Sequence, residues 1–234
     1  MAKTKKSAPK NEGNELLENP EVLAEQLSRT EEFLETNKTL VFGIGGFIAL
    51  IIAGYILFNY YTSSQNETAQ REMFQAVYYY EADSLGKALN GDGNSYGFLE
   101  IIEEFPLTEA ANLANFYTGS IYIELGDNES AIRYLKDFSS SDYLVQGRAY
   151  SLIGDAYAET EQLSESTSYY EKAIDYYPNK EFTPTYLTKA AVTYEANGQL
   201  DEALRCYKQI VDEYPQSAEQ RDAKKHAARI EGIL

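Results

Sequence analysis

An uncharged stretch of 23 residues, from Thr39 to Tyr61, constrains this chain more than any other feature. The nearest charged residues are Lys38 before it and Glu67 after it. An α-helix rises about 1.5 Å per residue, so a helix of this length crosses a hydrocarbon core of about 30 Å. We therefore expect three parts: an N-terminal tail, a membrane anchor and a longer body.

The tail, residues 1–38, contains two segments of different composition. Residues 1–18 are polar and begin with several lysines, which predicts disorder. Asn19 can cap a helix and Pro20 suits the first helical position, so an amphipathic helix is predicted over residues 20–36. Its apolar side is formed by Val22, Leu23, Leu27, Phe33 and Leu34. This helix has two interpretations: it lies on the bilayer surface, or it docks on a cytosolic partner.

The span over residues 39–61 has the features of an uncleaved anchor. A cleaved signal peptide has a short lead and an apolar core of about 7–15 residues, and both are longer here. Six lysines and arginines precede the span, whereas Arg71 alone lies within about 15 residues after it. This asymmetry predicts a cytosolic N-terminus and a body on the opposite side of the membrane.

Small residues recur every four positions within the span, at Gly45, Ala49 and Ala53. Such a stripe lets another membrane helix approach closely, which predicts a membrane-helix contact here. Small residues are also common in membrane helices that make no such contact, so both interpretations stay open.

The body, residues 65–234, contains a repeated pattern. One unit runs over Gly147–Lys180 and the next begins at Pro184. At eight equivalent positions the two units carry Tyr150 and Leu187, Ile153 and Ala190, Gly154 and Ala191, Tyr157 and Tyr194, Ser166 and Ala203, Tyr170 and Tyr207, Ala173 and Ile210, and Pro178 and Pro215. This pattern resembles the tetratricopeptide repeat, a helix–turn–helix unit of about 34 residues.

The resemblance implies an α-solenoid body, so with the span over residues 39–61 we expect an all-α chain in which a single transmembrane helix precedes the solenoid. Units are expected near residues 75–106, 112–143, 147–180 and 184–217. The first unit matches weakly, with one long helix over Gln65–Leu89, a loop over Asn90–Ser95 and a short helix over Tyr96–Phe105. Residues 217–234 are expected to form a capping helix.

The solenoid is expected to bind an extended peptide or a partner domain in its groove. Candidate contacts on the first helix of each unit are Asn115, Tyr122, Tyr150, Tyr157, Leu187 and Tyr194. Several of them occupy consensus positions of the repeat, so packing is the alternative interpretation.

Composition argues against an enzyme. The net charge of −17 disfavours binding to nucleic acid and to anionic lipid. One histidine, His226, and one cysteine, Cys206, cannot form a zinc site or a Cys–His nucleophile within one chain. The segment Asn90–Asn94 is similar to a calcium loop but has one acidic residue, which indicates a turn. We expect no catalytic residue, metal, cofactor or small-molecule substrate.

A second resemblance begins just before the span. The pair Phe33-Leu34 and the segment Asn37–Leu40 lead into the glycine-rich segment Val41–Tyr55, and a long helix follows. In these features the chain resembles the YfgM-like ancillary subunits of the bacterial Sec translocon. The resemblance implies an inner-membrane location with a periplasmic repeat domain. It also implies a SecYEG-like channel, a periplasmic chaperone and client polypeptides as partners. The alternative is a free-standing scaffold of cell-envelope assembly or division.

Overall fold

A computed structural model of the protein describes residues 20–234, so the expected disorder of residues 1–18 lies outside the described residues. Every regular element among the described residues is an α-helix. The helices are α1 (Pro20–Thr36), α2 (Lys38–Glu81), α3 (Leu85–Asn90), α4 (Phe98–Glu104), α5 (Glu109–Glu124), α6 (Asn128–Asp137), α7 (Tyr143–Glu159), α8 (Leu163–Tyr176), α9 (Thr183–Ala196), α10 (Leu200–Glu213) and α11 (Gln220–Glu231). The chain divides after Tyr60, and residues Tyr61–Leu234 form one compact unit, here called the repeat unit.

Helix α1 has the bounds that the Asn19-Pro20 signal indicates. Phe33 and Leu34, on its expected apolar side, are exposed. Side chains 22, 23 and 27 on that side lie outside the described ones. The backbone is therefore helical as expected, while the choice between a lipid and a protein partner stays a prediction.

Helix α2 is continuous over 44 residues and contains the uncharged stretch. The most apolar part of α2 carries no charge between Thr39 and Tyr61, and none of it is buried. By length and composition this helix can cross a membrane. Beyond Tyr61 its character changes, because Ala69, Met73 and Ala76 are buried in the core of the repeat unit.

The end of α2 differs from the expected helix over Gln65–Leu89. Asp83 takes a left-handed conformation with φ 55°, and its N–H donates to the Tyr80 carbonyl. The Ser84 N–H donates to the Tyr79 carbonyl at 2.8 Å. These bonds end the helix, and α3 follows as a separate short helix. The expectation of one helix to residue 89 is therefore wrong. A left-handed residue that ends a helix is usually a glycine, and here it is an aspartate, which the sequence pattern does not mark as a helix end.

The loop between α3 and α4 is closed by one carboxylate. Asp92 Oδ1 accepts the N–H groups of Asn94 and Ser95 at 2.9 and 2.8 Å, and Oδ2 accepts the Tyr79 hydroxyl at 2.8 Å. These bonds lower the pKa of the Asp92 carboxyl, the bond from the Asn94 N–H most of all. This segment is therefore the turn that its composition indicated.

The hairpins α5–α6, α7–α8 and α9–α10 follow, and α11 packs against α10. Close helix approach explains the small residues of the pattern. A Cβ atom on Gly154 would lie 2.6 Å from Tyr170 Cε1, and one on Gly119 would lie 2.5 Å from Leu135 Cγ. The Ser166 hydroxyl also donates to the Gly154 carbonyl at 2.9 Å.

The core of the repeat unit is rich in tyrosine because its phenol hydroxyls reach carboxylates at the rim. Tyr170 donates to Asp155 at 2.7 Å, Tyr207 to Glu195 at 2.9 Å and Tyr194 to Glu171 at 3.0 Å. Burial raises the pKa of Tyr194 to about 12, and the Glu171 charge adds to the effect. Each ring thus fills core volume while its hydroxyl stays hydrogen-bonded.

Candidate protein-interaction surface

The first helices of the units lie side by side and run in the same direction. The Asn66 amide oxygen accepts the Ala110 N–H at 3.0 Å, which joins α2 to α5. Further along the unit, Lys189 of α9 pairs with Asp155 of α7 at 2.7 Å. Thr185 donates to Glu219, just before α11, at 2.7 Å. We call the surface formed by α2 (from Tyr61), α5, α7, α9 and α11 the first-helix face.

Arg148 and Val192 are exposed on α7 and α9. Arg148 lies near the phenol groups of Tyr80 and Tyr186. Burial raises the pKa of both phenols, and the positive charge of Arg148 partly offsets that rise. No hydrogen bond or ion pair joins Arg148 to another described residue. A cation without a partner beside phenols on a helix face can bind an acidic group.

Three of the six groove candidates are buried. Leu187 has no exposed surface, and Tyr157 and Tyr194 are each 9% exposed. The Tyr157 hydroxyl accepts a hydrogen bond from the Lys136 ammonium group at 2.6 Å, and the Tyr194 hydroxyl donates one to the Glu171 carboxylate. These side chains hold helices together, which is the packing role left open by their consensus positions.

The other three candidates are half-buried. The Asn115 amide donates to the Ala111 carbonyl one turn earlier, at 3.2 Å. Tyr122 stacks on Tyr134 of α6 at 5.6 Å, so it packs within its own hairpin. Tyr150 packs against Tyr169 and Tyr176 of α8 at 6.4 and 5.7 Å. The aromatic candidates therefore point toward the second helices of their units.

Sequence reasoning missed Arg148 and Val192 as members of the first-helix face. Arg148 follows Gly147 in the sequence, and Val192 follows Ala191, so each comes directly after a small residue of the repeat. The repeat pattern names the residues that pack, and the residues free to bind a partner are their neighbours. The residue that directly follows a small position of the first helix is therefore the signal that could have located them.

Gly45, Ala49 and Ala53 lie within α2, and all three are exposed. A Cβ atom on Gly45 would meet no heavy atom within 4 Å. The stripe is therefore accessible to another helix, and the membrane-helix contact stays a prediction.

His226 and Cys206 both pack against other side chains of the repeat unit. The His226 ring stacks on Tyr207 at 5.1 Å, and its Nδ1 lies 3.7 Å from Glu195, which also pairs with Arg229. Cys206 is fully buried, and burial raises its pKa to about 12, so the thiol stays protonated. Residues 20–234 contain no group of three or more His, Cys, Asp or Glu placed to hold a metal.

Comparisons with known proteins agree with this architecture. Residues 145–216 match one tetratricopeptide repeat model and residues 119–142 match another. The crystal structure of MamA protein superimposes with a TM-score of 0.57 at 18% identity, over 71% of this chain and 84% of that chain. A putative kinesin light chain with tetratricopeptide-like repeats from Podosopora anserina gives a TM-score of 0.49 at 16% identity, over 72% of this chain and 84% of that chain.

No curated protein matches the sequence. At 18% identity the likeness to MamA shows a shared fold and nothing more. Together with the helical hairpins, the repeat models establish that this chain carries tetratricopeptide repeats over residues 119–142 and 145–216.

Proposed function

We propose that the protein is a single-pass membrane scaffold that serves as an ancillary subunit of the bacterial Sec translocon. The observation that carries this proposal is helix α2. One continuous helix provides an apolar, unburied segment long enough to span a bilayer and then becomes the first helix of the repeat unit.

The tetratricopeptide repeats are suited to binding proteins rather than to chemistry. The first-helix face would receive a periplasmic chaperone or client polypeptides, with Arg148 and Val192 as contacts and Asn115, Tyr122 and Tyr150 at its border. Leu187, Tyr157 and Tyr194 would support that face by packing beneath it.

Within the membrane, the stripe Gly45, Ala49 and Ala53 would contact a helix of a SecYEG-like channel. Replacing Ala49 by isoleucine would then weaken the association, because a larger side chain keeps the helices apart. Gly54→Ile is the matched control, since residue 54 lies off the stripe on the helix. Equal retention of the channel by both variants would remove this contact from the proposal.

Co-purification tests the proposal as a whole. Membranes from cells producing the tagged full chain are solubilised in a mild detergent, and the proteins recovered with the chain are quantified. The proposal expects the channel in near-equal amounts. Recovery of envelope-assembly or division proteins without the channel would contradict it and would favour the free-standing scaffold.

A further inference from the structure

The repeat unit has two edges at which successive helices are joined. At one edge, short turns join the two helices of one unit: residues 82–84, 125–127, 160–162 and 197–199. At the other edge, longer segments lead from one unit to the next: residues 105–108, 138–142, 177–182 and 214–219. We call the second surface the inter-unit edge, and it borders the first-helix face where the first helices begin.

Contacts between neighbouring segments make the inter-unit edge continuous. The Asn112 side chain exchanges two hydrogen bonds with the Ser139 backbone, at 2.7 and 3.0 Å. The Tyr176 hydroxyl donates to the Ser140 carbonyl at 3.0 Å. Tyr143 and Tyr177 stack with ring centroids 3.9 Å apart. The segments therefore form one surface rather than separate loops.

Three depressions follow this edge. The first is lined by Tyr61, Thr62 and Gln65 together with residues 104–108. The second lies along Glu109 and residues 138–141. The third, of about 540 Å³, lies between residues 180–181 and residues 213–219.

Large apolar side chains are exposed on the inter-unit edge and on the helix ends next to it. They are Leu107, Tyr143, Leu144, Tyr176, Tyr177 and Phe182, each between 41% and 64% exposed. In the described turns of the opposite edge, Leu125 is the one large apolar side chain that is exposed. The apolar surface is thus concentrated on one edge.

The charges around this apolar surface are negative. Glu104 and Glu109 line the first two depressions, and Glu181, Glu213 and Glu219 line the third beside one cation, Lys180. Carboxylates next to exposed aromatic rings recognise cations through charge-assisted hydrogen bonds and cation–π contacts. Residues after Lys38 carry 14 basic and 29 acidic groups, a balance of −15, which opposes binding to anionic lipid.

One buried polar atom in the third depression also lacks a partner. The Ser217 hydroxyl oxygen is inaccessible to solvent and has no hydrogen bond within the described structure. Buried hydroxyl groups are normally hydrogen-bonded, so the Ser217 hydroxyl is an unsatisfied polar group beside this depression.

We propose that the inter-unit edge is a second protein-interaction surface that binds an extended, Lys- and Arg-rich segment of a partner protein. Basic side chains enter the three acidic depressions, and the tyrosine rings between the depressions cover their aliphatic portions. The charge balance selects a basic protein segment over a lipid surface.

Fluorescence anisotropy tests this proposal with the full chain in phosphatidylcholine nanodiscs. The probe is a fluorescein-labelled peptide of repeated Arg-Ser-Lys-Gly units. The double variant Tyr143→Ser, Tyr177→Ser should bind it about tenfold more weakly, since two ring contacts with cations are lost. Leu125→Ser on the opposite edge is the matched control and should change the affinity less than twofold.

A second pair of variants separates site binding from general attraction to an acidic protein. Glu181→Gln with Glu213→Gln removes two charges at the third depression, and Glu161→Gln with Glu165→Gln removes two near the opposite edge. The first pair should weaken binding several-fold more than the second. Equal effects of the two pairs, at unchanged melting temperatures, would overturn the proposal.

A tryptophan probe tests the lipid alternative, since the chain contains no tryptophan of its own. Tyr177→Trp keeps an aromatic ring at the edge and makes its surroundings visible by fluorescence. The proposal expects no quenching by brominated phosphatidylcholine and a shift to shorter wavelength when the basic peptide is added. Quenching by the lipid without peptide, or no shift with peptide, would contradict it.

Discussion

In residues 145–216 each second helix is continuous, and a small residue such as Gly154 faces an aromatic ring across the hairpin. In residues 61–104 the first helix is the end of α2, and the second is divided into α3 and α4 around a loop. Phe98, stacked on Tyr117 at 4.9 Å, fills the core there. A consensus repeat is thus specified by local pairs of small and large residues, whereas the core of the first unit is built from α2 and from buried residues of α3 and α4 such as Phe98.

Removing that ring should have the largest effect on stability. Phe98 is fully buried, so Phe98→Ala should lower the free energy of unfolding by about 4 kcal/mol, and Ile210→Ala in α10 by about 3 kcal/mol. Urea unfolding of the full chain in detergent, followed by circular dichroism, measures both. A single transition in both variants would mean that the two regions unfold together. A separate early transition in Phe98→Ala alone would mean that the first unit is an independent module.

Adding a side chain where two helices of a hairpin approach closely should destabilise the protein less, and only in the consensus region. Gly154→Ala would place a Cβ atom 2.6 Å from the Tyr170 ring and should cost about 2 kcal/mol, because the helices must move apart. Gly86→Ala in α3 is the control, since a Cβ atom there meets nothing within 4 Å. Thermal melting of both variants measures this, and Gly154→Ala should have the lower melting temperature. Equal melting temperatures would show that helix approach does not define the consensus unit.

The capping helix should depend on Glu195. Burial opposes ionisation, but hydrogen bonds from Arg229 and Tyr207 outweigh it and lower the pKa of the Glu195 carboxyl below 4.5. The resulting stabilisation is therefore present above pH 4.5 and is lost as the pH falls through the folded-state pKa.

At pH 7 we expect Glu195→Gln to lower the free energy of unfolding by about 1–2 kcal/mol, and the difference from wild type to shrink in acid. Glu72→Gln, at an exposed position of α2, should change stability little at any pH. A pH series of urea midpoints measures both. A difference that grows as the pH falls would refute the assigned ion pair.

The smallest expected effect concerns Cys206. Its thiol is fully buried with a raised pKa of about 12, so the folded chain should resist alkylation by iodoacetamide at pH 8. The urea-unfolded chain should react fully, as measured by mass spectrometry. Rapid labelling of the folded chain would show that the region around α10 opens more readily than its packing indicates.

The all-α class and the phase of the later repeats could be predicted from sequence because they depend on neighbours within one unit. Gly154, Ser166 and Tyr170 specify how one hairpin crosses, and all three lie within 17 residues of each other. The apolar stretch within α2 was equally predictable, since it depends on composition alone. These features require no knowledge of distant contacts.

Features that depend on distant partners or on unusual backbone could not be predicted. Asp83 ends α2 without the glycine that normally marks such a position. The ring of His226 in α11 stacks on Tyr207 of α10, a contact between helices that no local pattern indicates. Leu187 lies on a first helix, as a groove residue should, but it faces the core. Helix membership was predictable, whereas the direction of each side chain was not.

The central claim is that α2 anchors the chain in a membrane and presents the repeat unit on the outer side. Protease added to intact spheroplasts, with immunodetection of a tag at each end, tests it directly. The account predicts that the repeat unit is digested while an N-terminal fragment containing the anchor is protected and resists extraction by alkaline carbonate. Full protection of the repeat unit, or release of the intact chain by carbonate, would contradict it.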